Sequence, residues 1–235
     1  MRALVGRSRH ECQPDLPPGI PRAMSTDSDI VRGGIVDRSD WNERYGTDEL
    51  IWKAEPNRFL VEEVGSMAPG RALDVACGEG RNSVWLASRG WDVVGVDFSS
   101  TGLAKARRLA ADRQVDVTWI EADLVAWEPP PSAFDLVIVL YLHLAADRRR
   151  TVLGHVAAAL APGGVLLVIG HDASNLSEGV GGPQDASVLF TPEEVADDLV
   201  PSLRVERAER VRRPVATDAG EAEAIDAVIR AVRPS

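Results

Sequence analysis

The stretch Ala72-Leu73-Asp74-Val75-Ala76-Cys77-Gly78-Glu79-Gly80-Arg81-Asn82 constrains this chain more than any other. A short apolar run stops on two glycines, and a helical pattern carrying Val84, Trp85 and Leu86 starts at once and ends at Gly90. That is a buried parallel strand, a tight turn and a helix N-terminus, the place in an α/β sheet where an anionic or zwitterionic ligand docks. Gly78 and Gly80 allow the backbone to approach a ligand at angles that a side chain would obstruct.

The same grammar repeats downstream. Val93-Val94-Gly95-Val96-Asp97 reads as a second strand ending in an acid, and residues 99–112 as a helix with Leu103, Ala106 and Ala110 on one face. A third strand is expected over 115–120, followed by Ala122-Asp123-Leu124, and a fourth over 134–140, apolar enough to lie centrally. Asp147 is expected to cap a helix bearing Val152, Leu153, Val156 and Leu160 that breaks at Pro162-Gly163-Gly164, before a fifth strand over 165–169. Alternating strands and helices predict right-handed crossovers, a doubly wound sheet and a ligand at the carboxyl ends of the strands.

The flanks differ in character. Residues 1–39 are rich in Pro, Gly, Arg, Asp and Ser without periodicity and read as a disordered leader, with Met24 a conceivable start; residues 40–235 read as one domain. Trp41-Asn42-Glu43-Arg44-Tyr45 and Trp52 lead to a helix that Pro56 is expected to open, with Phe59, Leu60 and Val64 on its face. These aromatics serve equally as a staple for that helix or as a cover over a bound ligand. A long loop over 172–189, containing Gly181-Gly182-Pro183-Gln184, reads as a lid or binding loop. Thr191-Pro192-Glu193-Glu194 begins a helix with cap, proline and capping-box glutamate in sequence. Residues 203–213 and 222–232 read as a final strand pair around an Asp218-Ala219-Gly220 turn, the second segment also being compatible with a helix.

A net charge of −10 opposes bulk binding to nucleic acid, and the Arg148-Arg149-Arg150 run reads as a solvated helix face. No apolar run approaches the ~20 residues of a membrane span. No secretory signal is evident, and two cysteines, Cys12 and Cys77, make neither a disulfide framework nor a metal set, so a cytoplasmic protein is expected, monomeric by default.

Asp97 follows Gly78 by about 20 positions, the spacing at which an acid reaches ribose hydroxyls. With that acid, the Asp123 strand end and Leu160-Ala161-Pro162-Gly163-Gly164 before strand five, the chain resembles the class I S-adenosylmethionine-dependent methyltransferases. The segment at Trp41, the Gly78-Glu79-Gly80-Arg81-Asn82 turn and the Gly181-Gly182-Pro183-Gln184 loop are similar to the thiopurine and tellurite-resistance-like branch, which acts on small molecules. The resemblance implies a Rossmann-like seven-stranded sheet, mostly parallel with the last strand antiparallel. It implies S-adenosyl-L-methionine as cofactor, with Ala76, Cys77, Gly78, Gly80 and Asn82 around the methionine moiety and Asp74 near its amino group. Asp97 and Ser99 would stand at the ribose, Phe98 on the adenine face, and Ala122, Asp123 and Leu124 at the adenine edge. Leu140 would touch the methionine end, and Trp41 and Arg44 would close the pocket.

A sulfonium methyl is already electrophilic, so such a protein chiefly orients a nucleophile in line. Should the acceptor need a base, His143 and His171 after strands four and five are the candidates, with Tyr141 beside them. Each histidine has a structural alternative, one as a core residue and one as a pin for the loop. Two other functions stay open: a nicotinamide-dependent oxidoreductase, although Ser83 stands where that fingerprint takes a third small residue, and a binding protein without catalysis.

Overall fold

The computed structural model describes residues 41, 42, 45, 46, 50, 55–200, 202–217 and 220–235. The expected leader, Arg44, Trp52 and the Asp218-Ala219 corner lie outside the described residues.

Helix α1 (Arg58–Val64) precedes β1 (Arg71–Val75), α2 (Arg81–Ser88), β2 (Asp92–Asp97), α3 (Ser100–Asp112), β3 (Thr118–Glu121) and β4 (Phe134–Leu140). Then come α4 (Ala146–Ala159), β5 (Leu160–His171), the short α5 (Asn175–Glu178), α6 (Pro192–Leu199), β6 (Arg204–Thr217) and β7 (Gly220–Val232). The strands form one seven-stranded sheet in the order β3-β2-β1-β4-β5-β7-β6. β1 to β5 are parallel, and β7 inserts antiparallel between β5 and β6. The order reverses at β1 and β4, which places the ligand crevice at their carboxyl ends.

Alternation along the strands buries both faces. Leu73, Val75, Val137, Val139, Leu166 and Val168 pack with Val152, Val156 of α4 and Val195, Leu199 of α6. Ala72, Leu136, Ile138, Leu167 and Ile169 pack with Phe59, Leu60 and Val64 of α1 and Leu86 of α2. The crossover helices thus cover the sheet on both sides.

Several local expectations shift. Asn57, not Pro56, starts α1: its side chain accepts from the Phe59 and Leu60 amides, leaving the proline outside the helix. Ala145 is the N-cap of α4 and makes no side-chain bond, while Asp147 sits in the first turn, where its charge favours the helix dipole. Leu160 already belongs to β5, because pairing with Phe134 of β4 begins there, before the glycines. β3 starts only at Thr118, the first residue to pair with β2. The 172–189 loop is not structureless: it holds α5 and a single 3₁₀ turn, Ala186–Val188. The arginine run is not uniformly solvated either. Arg149 is buried, lies 5.3 Å over the Phe190 ring and sits 3.3 Å from Asp198. The α6 capping box is as expected, with Thr191 and Glu194 bonding each other's backbone amides.

Candidate active site

Two groups of side chains meet at the carboxyl ends of the central strands. The first surrounds the turn after β1. Gly78 (φ 53°) and Gly80 (φ 80°) are left-handed, as is Ala76 (φ 60°), a conformation that costs a non-glycine residue energy and recurs where a fold is held in shape for a ligand. The space beside the glycines is taken by the protein itself. A Cβ on Gly80 would come 2.6 Å from Trp119 and 2.7 Å from Ala106, and one on Gly78 would come 2.8 Å from the Tyr45 hydroxyl. The glycines therefore seat the turn against α3 and Tyr45 as well as freeing its backbone.

Asp97 fastens this turn. Its Oδ2 accepts from the Gly78 amide and its Oδ1 from the Ser99 amide, both at 2.8 Å. A carboxylate oxygen carries two lone pairs, which suits an acid at a strand end to accept from a diol as well as from backbone amides. Ser99 caps α3 by accepting from Gly102 and donates to Asn42 Oδ1 at 2.6 Å, which ties the N-terminal segment to the strand end. Trp41 stacks on Tyr45 at 5.4 Å. Glu79 and Lys105, both buried, pair at 2.9 Å and lock the turn to α3.

Asp74 is buried on β1 and accepts a 2.6 Å bond from the Ser83 hydroxyl. Burial pushes its carboxyl up to about 7; the Ser83 bond opposes this and the nearby Asp97 charge adds to it. A cation placed here would stabilise the ionised form. Burial also raises the Cys77 thiol well above its ordinary value, with Asp97 and Asp74 adding to the effect, which marks a packing residue and not a nucleophile. Phe98 is half-buried directly after β2. Ala122 and Leu124 are buried, and Asp123 between them is exposed, its Oδ1 holding the Val125 amide at 3.0 Å. Leu140 is buried at the end of β4. Asn82 Oδ1 accepts from the Asn57 amide at 2.9 Å, which ties the start of α2 to that of α1. The set of one buried acid with a raised pKa, one acid anchored at a strand end and one exposed acid fits a positively charged nucleoside. No side chain of the set is a natural partner for pyrophosphate.

The second group lies beyond β4 and β5. Tyr141 takes φ 58° immediately after β4, so β1 and β4, neighbours in the sheet, each end in a left-handed residue. Tyr141, His143 and His171 come together, with the two imidazoles stacked at 5.4 Å and 13° and the phenol 5.1 Å from the His171 ring. Burial, reinforced by the neighbouring His171, lowers His143 to about 4, so it is neutral at physiological pH. Burial and the Asp226 charge raise Tyr141 to about 12, so its hydroxyl keeps its proton.

Sequence reasoning missed the residue behind this second group. Asp226 of β7 is fully buried, accepts from Tyr141 Oη at 3.1 Å and Arg213 Nε at 2.7 Å, and faces His171 Nδ1 at 3.3 Å. Burial alone would raise it, but His171 and Arg213 hold it below the ordinary carboxylate value. The available signal was one acid inside the apolar run Ala224-Ile225-Asp226-Ala227-Val228-Ile229. Arg81, at the start of α2, was missed too; its charge couples to Tyr141, Asp74 and Arg213. The glycine loop closes against the same cluster, for a Cβ on Gly182 would sit 2.6 Å from His171 Cδ2. Asn175 holds that loop by donating to the Gly181 carbonyl and accepting from the Ile225 amide. Among the described residues no His, Cys, Asp or Glu cluster is arranged to hold a metal, and no helix is long and apolar enough to cross a membrane.

Residues 72–164 match the methyltransferase domain family. Demethylmenaquinone methyltransferase of Thermus thermophilus is 37% identical over 127 residues, covering 53% of this chain and 56% of that protein. Thiocyanate methyltransferase 1 of Arabidopsis thaliana is 28% identical over 173 residues, covering 71% and 73%. The chain spans about half the length of most of the curated relatives it matches. Among solved structures, the N-methyltransferase NodS of Bradyrhizobium japonicum in complex with S-adenosyl-L-homocysteine superposes with a TM-score of 0.64 at 18% identity, covering 84% of this chain and 98% of that one. At that identity the likeness concerns the fold, and the sheet order with its inserted antiparallel strand is the Rossmann-like arrangement expected from the class I resemblance.

Proposed function

We propose that this chain, whose residues 72–164 match the methyltransferase domain family, transfers the methyl group of S-adenosyl-L-methionine to a small-molecule nucleophile. The observation that carries the reading is the crevice between β1 and β4. On one side stand a left-handed glycine turn and the acids Asp74 and Asp97; on the other stand Tyr141, His143 and His171. Relatives that methylate compounds as different as thiocyanate and demethylmenaquinone support a small acceptor.

In this reading Asp74 meets the ammonium of the methionine moiety, the turn at residues 76–80 lies along it, and Asp97 accepts from the ribose hydroxyls. Phe98 and Leu124 enclose the adenine, with Asp123 at its amino edge. Trp41 and Tyr45 close over the turn, and Leu140 stands near the methionine end. The sulfonium supplies an electrophilic methyl carbon; the chain's own task is to hold the acceptor in line, keep water away and take any proton released. His171 is the residue placed for that last role, since His143 is neutral and turned toward the backbone amide of His171, 3.4 Å away.

Isothermal titration with S-adenosylmethionine and with NADH tests the cofactor, and turnover against thiols, phenols and N-heterocycles tests the reaction. Binding of S-adenosylmethionine together with formation of S-adenosylhomocysteine is expected. Tight NADH binding without S-adenosylmethionine binding would replace this reading by an oxidoreductase, and binding without any turnover would favour an accessory protein.

A further inference from the structure

We infer that Asp226 is a positioning residue that makes His171 the proton acceptor of the reaction, and that the methyl acceptor is therefore an O–H or N–H compound that loses its proton on transfer, not a preformed anion. The inference rests on the methyltransferase reading and narrows its substrate class.

The register places His171 of β5 directly opposite Asp226 of β7. Asp226 has no solvent exposure, and an isolated carboxylate so deep in a sheet is held ionised only by partners. Its Oδ2 is committed to Arg213 Nε and the Tyr141 hydroxyl. Its Oδ1 and His171 Nδ1 are both buried, have no other hydrogen-bond partner, and stand 3.3 Å apart. Each atom is thus the other's natural complement. A carboxylate beside Nδ1 favours the tautomer with the proton on that nitrogen, which leaves the Nε2 lone pair free.

The surroundings hold the imidazole in one orientation. The His143 ring stacks flat on His171 and fixes its plane. Gly182 (φ 75°) lies against the same ring, where a Cβ would come within 2.6 Å of Cδ2, 2.8 Å of Cγ and 2.9 Å of Nε2, so only a glycine packs here without displacing the imidazole. The charges facing the pair are Asp226 on β7, Arg213 on β6 and, through Tyr141, Arg81 on α2. A structure needed only to pin the loop would not require an ionised acid buried behind the imidazole and clamped by an arginine from a third strand.

The step balances as follows. The acceptor atom forms a bond to the sulfonium methyl carbon, the C–S bond breaks with its electron pair remaining on sulfur, and the acceptor's proton passes to His171 Nε2. The resulting imidazolium is stabilised by Asp226. An acceptor that arrives as an anion, such as iodide or thiocyanate, has no proton to give and gains nothing from the pair.

The test uses the full chain and two readouts. Nitrogen NMR of the imidazoles in the cofactor-free protein is expected to show His171 protonated at Nδ1 and to shift that assignment in Asp226→Asn. An unchanged His171 spectrum overturns the pairing. In kinetics, wild type is expected to methylate phenol or imidazole, and Asp226→Asn and His171→Gln to lower that kcat by at least about 30-fold. The same variants should lower iodide methylation far less than phenol methylation and leave S-adenosylmethionine affinity within about threefold, because proton transfer contributes to neither. Equal losses with both acceptor classes would identify a structural role, and wild type that methylates only iodide or thiocyanate would overturn the acceptor class. His171→Gln keeps the argument falsifiable if the buried Asp226 variant does not fold. Absence of S-adenosylmethionine binding by calorimetry would instead overturn the function on which the inference stands, and is read separately from the NMR result.

Discussion

The turn after β1 and the cluster after β5 occupy one crevice, yet they are assembled from different ranges of sequence. In the turn, Ser83 reaches Asp74 across 9 positions and Gly78 reaches Asp97 across 19. In the cluster, His143 and the His171 amide are 28 positions apart and Tyr141 and Asp226 are 85 apart. The centre of the first group is one βαβ unit, β1-α2-β2, to which the segment at Asn42 and the end of β3 are added. The second exists only when β4, β5, β6 and β7 are all in place. In the proposed function, local construction makes the donor side a feature a fold can keep unchanged, and non-local construction makes the acceptor side the part that substitutions and insertions can retune.

If the two sides are separable in this way, single changes should affect one and spare the other. The largest effect is expected for His171→Ala, with turnover of a proton-bearing acceptor falling about 100-fold or more and cofactor affinity unchanged, by steady-state kinetics beside calorimetry. An equal loss of cofactor affinity would break the division. Asp97→Ala should do the reverse, losing one to two hydrogen bonds of roughly 1.5–3 kcal/mol each from cofactor binding. Calorimetry with S-adenosylhomocysteine checks this, and unchanged affinity would remove Asp97 from the site.

A smaller effect is expected from pH on the donor side alone. Asp74 titrates near 7, and a bound ammonium favours its ionised form, so affinity should rise with pH through that value. Between pH 8 and pH 6 the loss should be about tenfold, and Asp74→Asn should flatten the profile. The sign for folding is opposite: a buried acid with a raised pKa destabilises the fold as pH rises from the ordinary carboxylate range toward 7. The smallest change is expected for Gly182→Ala, a few-fold loss of turnover from strain at positive φ and crowding of His171, without effect on cofactor binding.

What the sequence revealed follows the same division. The βαβ units, the Asp97 strand end, the α6 capping box and the final strand pair were legible because each rests on periodicity or turn chemistry within a few residues. The start of α1 was misread because Asn57 outcompetes Pro56 as a cap through side-chain bonds that composition does not reveal. Asn82 is legible as a turn residue, but the bond its oxygen accepts from the Asn57 amide, 25 positions away, is not. His143 and His171 were picked out as strand-end residues, but their stacking, and the burial that lowers His143, depend on strand order. Asp226 stood in plain view as an acid in an apolar strand. Its partner could be identified only from the register of β7 against β5.

That register has a consequence for how the molecule comes into being on a ribosome. β7 is the last strand in chain order but lies inside the sheet, and β6 reaches the sheet only through it. Until β7 emerges, β5 is an open edge carrying Val165, Leu167 and Ile169, and at ~5–20 residues per second the wait after β5 lasts roughly 3–12 s. During that interval His171 stands without its Asp226 partner, at the end of a sticky strand in need of cover. The arginine- and glutamate-rich β6, made first and parked outermost, then seals the finished sheet with charge that discourages a neighbouring chain from adding an eighth strand.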